Sequence, residues 1–461
     1  MPMEKSTLDA QGLERYVTNL RPEFEHALAR LVEIPTVSMD PERRGAMRAG
    51  AEAACELLRA IGAEARTIDT PGHPLVFGKI IQNPAYPTLT LYNHIDVQPA
   101  DREKEGWRHD PFRFVNDGGK YSGRGTTDDK GPALTAYYGI RYALQQKIPL
   151  NFKFLWELEE EIGSPSFAGV LKAHAEEMAT DSVLVSDTIW IARGRPASPY
   201  ALRGVQAALL QLETGAKDVH SGLTGGAARN PIAELMDVVA RCADAKSGRI
   251  KIPHFYDDVA KPTKQELESF ERSGFSVAEY KRAHELKSLR SNDKTDVMRR
   301  IWTLPTFEVH GVVGGYSGRG VKTIVPQKGE IKLSMRLVPN QKPAKIFKLL
   351  QDHVRKINRD VKVIKENTLE PYMGEFSGPY ADAAREAMQY GFGAKPALTR
   401  EGGSIGAVVT MQKILKAPIT FLGLSLPEHG YHAPNEFYDW GQAAGGVKMF
   451  ARYFEIISRM R

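Results

Sequence analysis

The run Thr88-Leu89-Thr90-Leu91-Tyr92-Asn93-His94-Ile95-Asp96 constrains this chain more than any other stretch. An apolar, alternating segment ends abruptly in a histidine and an aspartate. Alternate residues of a strand share a face. His94 and Asp96 are therefore expected to point the same way, with Ile95 turned into a core. A His-x-Asp pair alone is commonly an incidental surface feature. Its meaning depends on what the rest of the chain brings to the same edge.

Strand and helix signals alternate around this run. Apolar spacing predicts helices over 12–34, stopped by Pro35, and over 41–61, opened by Asp40-Pro41 and closed by Gly62. Strands are expected at 65–68, 75–81, 88–92, 151–157 and 182–186, with helices at 134–144 and 165–178. This order predicts an α/β fold with a mainly parallel sheet and helices on both faces. Ligands of such sheets sit at the carboxyl ends of the strands. His94, Asp128, Glu160, Glu161 and Asp187 all fall at or just after expected strand ends. The loop 98–116 is too long for a plain connector and is expected to wall the site.

The texture changes near Gly204. Strands at 205–213, 307–312, 323–324, 329–337 and 361–364, with helices at 230–240 and 343–357, predict a small α+β domain. A polar stretch, 244–294, carries many charges and few periodic apolar positions. Helices at 379–391, 405–415 and 437–459 and a strand at 419–422 resume the first pattern. The expected division is a catalytic domain, 1–203 and 373–461, interrupted by an inserted domain, 204–372. Two domains suit a chain of 461 residues.

Composition excludes several classes. A net charge of +6 without any Lys/Arg run gives no footprint for nucleic acid. No apolar run is long enough to span a bilayer. Met1-Pro2-Met3-Glu4-Lys5 leads into a polar segment without an apolar signal core, so a cytoplasmic protein is expected. Cys55 and Cys242, the two cysteines, form neither a disulfide framework nor a thiolate metal site, and read as small core residues.

Taken singly, the polar residues at strand ends have plain explanations. Asp128 can cap the helix that follows it. The run Glu159-Glu160-Glu161 can be a solvated acidic loop, Asp187 can cap a turn, and His432 can be a loop histidine like His429. Jointly, His94, Asp128, Glu161, Asp187 and His432 offer two imidazoles and three carboxylates, a set suited to zinc, manganese or cobalt. Two such ions a few ångströms apart need one shared carboxylate. Asp96 has the reach to orient the His94 imidazole through its second nitrogen. Glu160, adjacent to Glu161, is a general-base candidate.

Four motifs occur in order: His94-Ile95-Asp96-Val97-Gln98-Pro99, Gly123-Arg124-Gly125-Thr126-Thr127-Asp128-Asp129-Lys130-Gly131, Glu160-Glu161-Ile162-Gly163-Ser164 and His432-Ala433-Pro434-Asn435-Glu436. Together they resemble the motif set of the dinuclear-metal exopeptidases, which include carnosinases, cytosolic non-specific dipeptidases, aminoacylases and desuccinylases. The resemblance covers nearly the whole chain. It is closest to the carnosinase-like dipeptidase branch, through Trp107 with Asp110-Pro111-Phe112, Ile252-Pro253 and Met335-Arg336-Leu337-Val338-Pro339-Asn340.

The resemblance implies that Asp128 bridges two divalent ions, zinc first and manganese or cobalt next. His94 and Asp187 would complete one site, and Glu161 and His432 the other. Glu160 would be the base and Asp96 a supporting group. The resemblance also implies a homodimer through the inserted domain. His220 would reach the partner's active site and stabilise the oxyanion, with Thr323 a second contact in trans. Arg336, Gly403 and Ser404 would hold the substrate's terminal carboxylate. Ser404-Ile405 is followed by Gly406 where the family pattern has proline. The implied reaction is metal-dependent hydrolysis of the peptide bond of dipeptides, with an N-acyl amino acid amidohydrolase and an inactive binding relative as alternatives. The long insert from 244 to 305 favours the dipeptidase branch, and the presence of all five ligands and Glu160 argues against an inactive relative.

Overall fold

The computed structural model describes residues 8–460. Residues 1–7, on which the expectation about a leader rests, lie outside it. A six-stranded sheet runs in the order Glu64–Ile68, Leu75–Ile80, Asn151–Glu157, Thr88–His94, Ser182–Val185, Ile419–Phe421. The last four strands are parallel to one another, and the first two form an antiparallel edge. The register pairs Thr88 with Asn151 and His94 with Glu157. It pairs Tyr92 with Val185 on the other side. The end of one strand therefore lies level with the residues just before Glu160-Glu161 and Asp187.

Both faces of this sheet are covered, as a parallel sheet requires. Leu89, Leu91, Phe152 and Phe154 join a core with the helices Ala10–Val32, Arg44–Ala60, Lys130–Gln145 and Trp440–Ile457. Tyr92, Leu155, Val183 and Val185 point the other way, onto Phe167–Ala173 and Gly406–Leu415. Strand alternation thus divides one run of apolar residues between two cores.

A second sheet is wholly antiparallel, in the order Thr306–Gly314, Lys328–Leu337, Gly204–Glu213, Lys362–Leu369. Helices Pro231–Cys242 and Pro343–Ile357 pack on it through Leu235, Val238, Ile346 and Leu350. The first of these helices is capped by Asn230, whose side chain accepts from Ile232 and Ala233, with Pro231 at its first position. Thr306–Gly314 is an edge strand that exposes Val309, Val312 and Val313.

Some expected elements differ. The helix expected at 165–178 covers only Phe167–Ala173, and the one expected at 134–144 starts at Lys130. The polar stretch 244–294 leads into three short helices, Lys264–Glu271, Val277–Ala283 and Lys294–Trp302. Each is started by a side-chain cap, from Thr263, Ser276 and Asp293. Their core is Phe270, Phe275, Val297, Met298 and Trp302. Elements this short hold too few turns to display a period. A three-stranded sheet of Tyr372–Met373, Ala197–Leu202 and Ala397–Glu401 forms where the chain leaves and re-enters the first pattern. No helix of the described residues is long and apolar enough to cross a membrane.

Candidate metal centre

Four chain segments meet at the carboxyl edge of the parallel strands. His94 ends its strand and is buried. Glu160 and Glu161 begin a short turn three residues after the neighbouring strand ends at Glu157. Asp187 follows the next strand by two residues. Asp128 lies in the segment before helix Lys130–Gln145, and its peptide bond to Asp129 is cis.

The Asp128 segment is clamped from the far end of the chain. One Glu436 oxygen accepts the N–H groups of Thr127 (2.9 Å) and Asp128 (3.1 Å). The other accepts the Gly125 N–H (3.0 Å) and pairs with Arg124 Nη1 (2.9 Å). Gly131 is required by close approach, since a Cβ there would come within 2.1 Å of the Thr126 carbonyl oxygen. His432, four residues before Glu436, has a left-handed backbone (φ 56°), which a non-glycine residue rarely adopts. Strain of this kind gathers at functional sites.

Asp128 faces both histidines. Its Oδ1 is 3.0 Å from His94 Nε2 and its Oδ2 is 3.0 Å from His432 Nε2. Asp187 Oδ2 lies 3.7 Å from His94 Nε2, and Glu161 Oε2 lies 3.3 Å from His432 Nε2. Two metal-competent groups result, His94–Asp128–Asp187 and Asp128–Glu161–His432, with Asp128 common to both.

Asp96 does more than the sequence suggests. Its carboxylate accepts the backbone N–H groups of Glu160 (3.2 Å) and Glu161 (3.1 Å). His94 Nδ1 lies 3.0 Å from the Asp96 carbonyl oxygen and 3.5 Å from its carboxylate. The imidazole is thus oriented chiefly by the carbonyl, while the carboxylate holds the turn that carries Glu160 and Glu161. Gln98 donates to Glu161 Oε2 (2.7 Å), and the Tyr431 hydroxyl donates to Asp187 Oδ1 (3.0 Å).

The electrostatics call for cations. Burial, then the neighbouring Asp128, push the Asp187 carboxyl up to about 7. Burial and Asp128 also raise Glu161. Glu160 is raised well above the usual carboxylate range by burial, with Glu161, Asp187 and Asp96 adding to the rise and His94 opposing it. Burial works against an ionised Asp128, but hydrogen bonds from His432 and His94 hold its carboxyl low. Burial would lower both histidines, yet their carboxylate partners raise them, His432 to about 11. Without cations, these crowded carboxylates would have to share protons with the two imidazoles. Two divalent cations would do the same work without protons. Two imidazoles with three carboxylates fit such ions by donor chemistry and by spacing.

The expected substrate residues fall into two groups. Arg336 Nη1 donates to Ser404 Oγ (3.0 Å), and Gly403 is the preceding residue. Beside them lies Arg203, which the sequence did not single out. It is 8% exposed, its backbone N–H donates to the Gly403 carbonyl (2.9 Å), and one of its Nη atoms donates to the carbonyls of Arg300 and Leu304. Its Nε is buried without a partner. Burial, then Arg336, lower it to about 10. His220 and Thr323 form the second group. Val219–His220 pairs with Ile324–Val325, and the Ser221 N–H donates to the Thr323 carbonyl (3.0 Å). Both are exposed, and His220 Nδ1 accepts only a local N–H, from Gly222 (2.9 Å).

Gly406, the departure from the family pattern, packs against the metal-ligand turn. A Cβ at this position would lie 3.2 Å from the Gly163 carbonyl oxygen, a tight contact that glycine avoids.

The sequence model of peptidase family M20/M25/M40 matches residues 90–456, which spans every one of these segments. The chain belongs to this peptidase family. Within it, the chain is 32% identical to the Cys-Gly metallodipeptidase dug1 of Schizosaccharomyces pombe, over 97% of this chain and 98% of that protein. It is 28% identical to the human Beta-Ala-His dipeptidase, over 95% of this chain and 91% of the relative. The crystal structure of human carnosine dipeptidase 1 superposes with a TM-score of 0.88 at 27% identity, covering 98% of this chain and 99% of that one. The resemblance to the carnosinase-like branch is therefore found in both sequence and fold. This peptidase-family chain carries the fold class expected of it, a mainly parallel α/β sheet with an additional α+β sheet.

Proposed function

We propose that this peptidase-family chain hydrolyses the peptide bond of dipeptides with two divalent ions, zinc first, manganese or cobalt as substitutes. The observation that carries the reading is Asp128, with one oxygen on each of two metal-competent groups. His94 and Asp187 serve one ion, and Glu161 and His432 the other. Bound there, the ions supply Lewis-acid polarisation of the scissile carbonyl and lower the pKa of the attacking water. Glu160 takes the proton of that water and delivers it to the leaving amine nitrogen. Burial and the surrounding carboxylates raise its carboxyl, and cations held by those carboxylates would bring it back to the ionised form that a base needs. Asp96 keeps Glu160 and Glu161 in register by holding their N–H groups. Arg336, Ser404 and Gly403 take the substrate's terminal carboxylate, a task suited to a guanidinium fork.

The division into 1–203 with 373–461 and 204–372 follows the two sheets and belongs to the same proposal. So does a homodimer through the inserted domain. His220 and Thr323 are exposed at one tip, and the edge strand Thr306–Gly314 carries three exposed valines. A second copy would cover that strand and bring His220 to its neighbour's oxyanion. A cytoplasmic location with no nucleic-acid or membrane partner completes the reading.

A panel of unblocked dipeptides and N-acyl amino acids tests it. Release of free amino acids from dipeptides is expected, abolished by chelation and restored by added zinc or manganese. Turnover of N-acyl amino acids alone would replace the dipeptidase reading with the amidohydrolase one.

A further inference from the structure

A small aromatic-walled cavity of about 230 Å³ opens beside Gly402 and Gly403. Its walls come from three places. Ile189 and Trp190 follow the metal-competent Asp187 directly. Phe275, Tyr280, Ile301 and Trp302 come from the short helices of the insert. Trp190, Phe275 and Trp302 are buried, Tyr280 and Ile301 are half-buried, and His284 stands exposed at the mouth. Trp190 is fixed by its indole N–H, which donates to the Gly423 carbonyl (2.7 Å), and by an edge contact with Phe392. The space suits one large side chain.

Position identifies the occupant. Ser404 lies one residue beyond the Gly402-Gly403 wall and accepts from Arg336, and neither Arg336 nor Arg203 makes an ion pair with a carboxylate among the described residues. Burial lowers Arg336 with no carboxylate neighbour to offset it, Arg203 has only the more distant Glu401 and Glu308, and the buried Nε of Arg203 has no partner, so an anion beside Ser404 would be favoured there. A substrate's terminal carboxylate and its last side chain spring from the same Cα. With the carboxylate at Ser404, that side chain enters the space walled by Gly402, Gly403, Trp190 and the insert.

We infer that this cavity is the pocket for the C-terminal side chain of the substrate and selects a large apolar or aromatic residue there. The assignment rests on the dipeptidase reading. Glu401 also borders the pocket, but its carboxylate is turned onto its own loop, where it accepts the Gly402 N–H (3.1 Å). The pocket's other walls offer no counter-charge for a lysine or arginine side chain.

The test is kcat/KM of the metal-loaded enzyme on Ala-Gly, Ala-Leu, Ala-Phe, Ala-Lys and the reversed Phe-Ala. Ala-Leu and Ala-Phe are expected to exceed Ala-Gly by roughly 10-fold or more. Ile301→Trp, which fills the pocket, should lower Ala-Phe by about 10-fold more than Ala-Gly. Tyr280→Ala, at the half-exposed rim, should lower the Ala-Phe to Ala-Gly ratio while leaving the Phe-Ala to Ala-Gly ratio in place. Equal or better turnover of Ala-Gly or Ala-Lys would overturn the pocket while leaving the dipeptidase reading intact. Ratios unmoved by both variants would do the same. Hydrolysis of none of the five would overturn the dipeptidase reading, and the pocket with it.

Discussion

At the scale of the residue, the centre is a problem of charge that the sequence poses and the fold makes acute. Asp128 has one oxygen for each histidine, and Glu160 is raised by burial and by the carboxylates around it. Glu160 has no place in either metal-competent group. Glu160→Ala is therefore expected to keep both ions while kcat falls by roughly 10²–10⁴-fold. Elemental analysis beside steady-state kinetics separates the two effects, and an active variant would remove Glu160 from the base role. His94, Glu160, Glu161 and Asp187 were legible because they lie at or just past strand ends, and Asp128 and His432 because they lie in short motifs. Glu436 and Gln98 lay within those motifs, but nothing local reveals that Glu436 holds the backbone of a segment 308 residues away. The same is true of Tyr431 and Arg203, whose partners are distant in sequence.

At the scale of elements, the long periodic pieces were readable and the short ones were not. Strands at the sheet centre gave themselves away as apolar runs split between two cores. The helices between Lys264 and Trp302 did not, because seven to nine residues hold two turns or so and their caps carry the information instead. One buried pair ties these helices to the strands Ala197–Leu202 and Ala397–Glu401. Arg400 Nη2 donates to Glu266 Oε1 (2.6 Å), Tyr200 donates to the same oxygen, and both charged side chains are nearly inaccessible. Glu266→Gln leaves Arg400 buried and uncompensated and is expected to cost about 3–5 kcal/mol of stability in denaturant titrations. Burial tends to raise the Glu266 carboxyl, but Tyr200, the Thr263 N–H and Arg400 outweigh it and hold it below its ordinary value of 4.5. A carboxyl depressed on folding stabilises the fold fully above its unfolded value. That contribution disappears as pH falls from about 4.5 through the folded value. The wild-type advantage over Glu266→Gln should therefore shrink as pH falls through that window, and a constant difference would show that the pair is not the source.

At the scale of the molecule, the sheets divide the labour: the six-stranded one gathers the charged edge, the four-stranded one presents an exposed edge strand, and a two-stranded ribbon carries His220. Sedimentation at assay concentration is expected to show a dimer, and a fully active monomer would exclude catalysis by His220 in trans. The order of the motifs along the chain, not any single one, made this architecture readable from sequence. The pocket beside Gly403 was not readable, because its walls come from separate segments spread between Ile189 and Pro427. The central claim is that Asp128 serves two ions at once. The most direct measurement is divalent metal per chain for wild type, His94→Ala and Asp128→Ala, each verified as folded by circular dichroism. Two ions are expected for wild type, one for His94→Ala and fewer than one for Asp128→Ala. Two ions retained by Asp128→Ala, or none held by wild type after zinc or manganese loading, would contradict it.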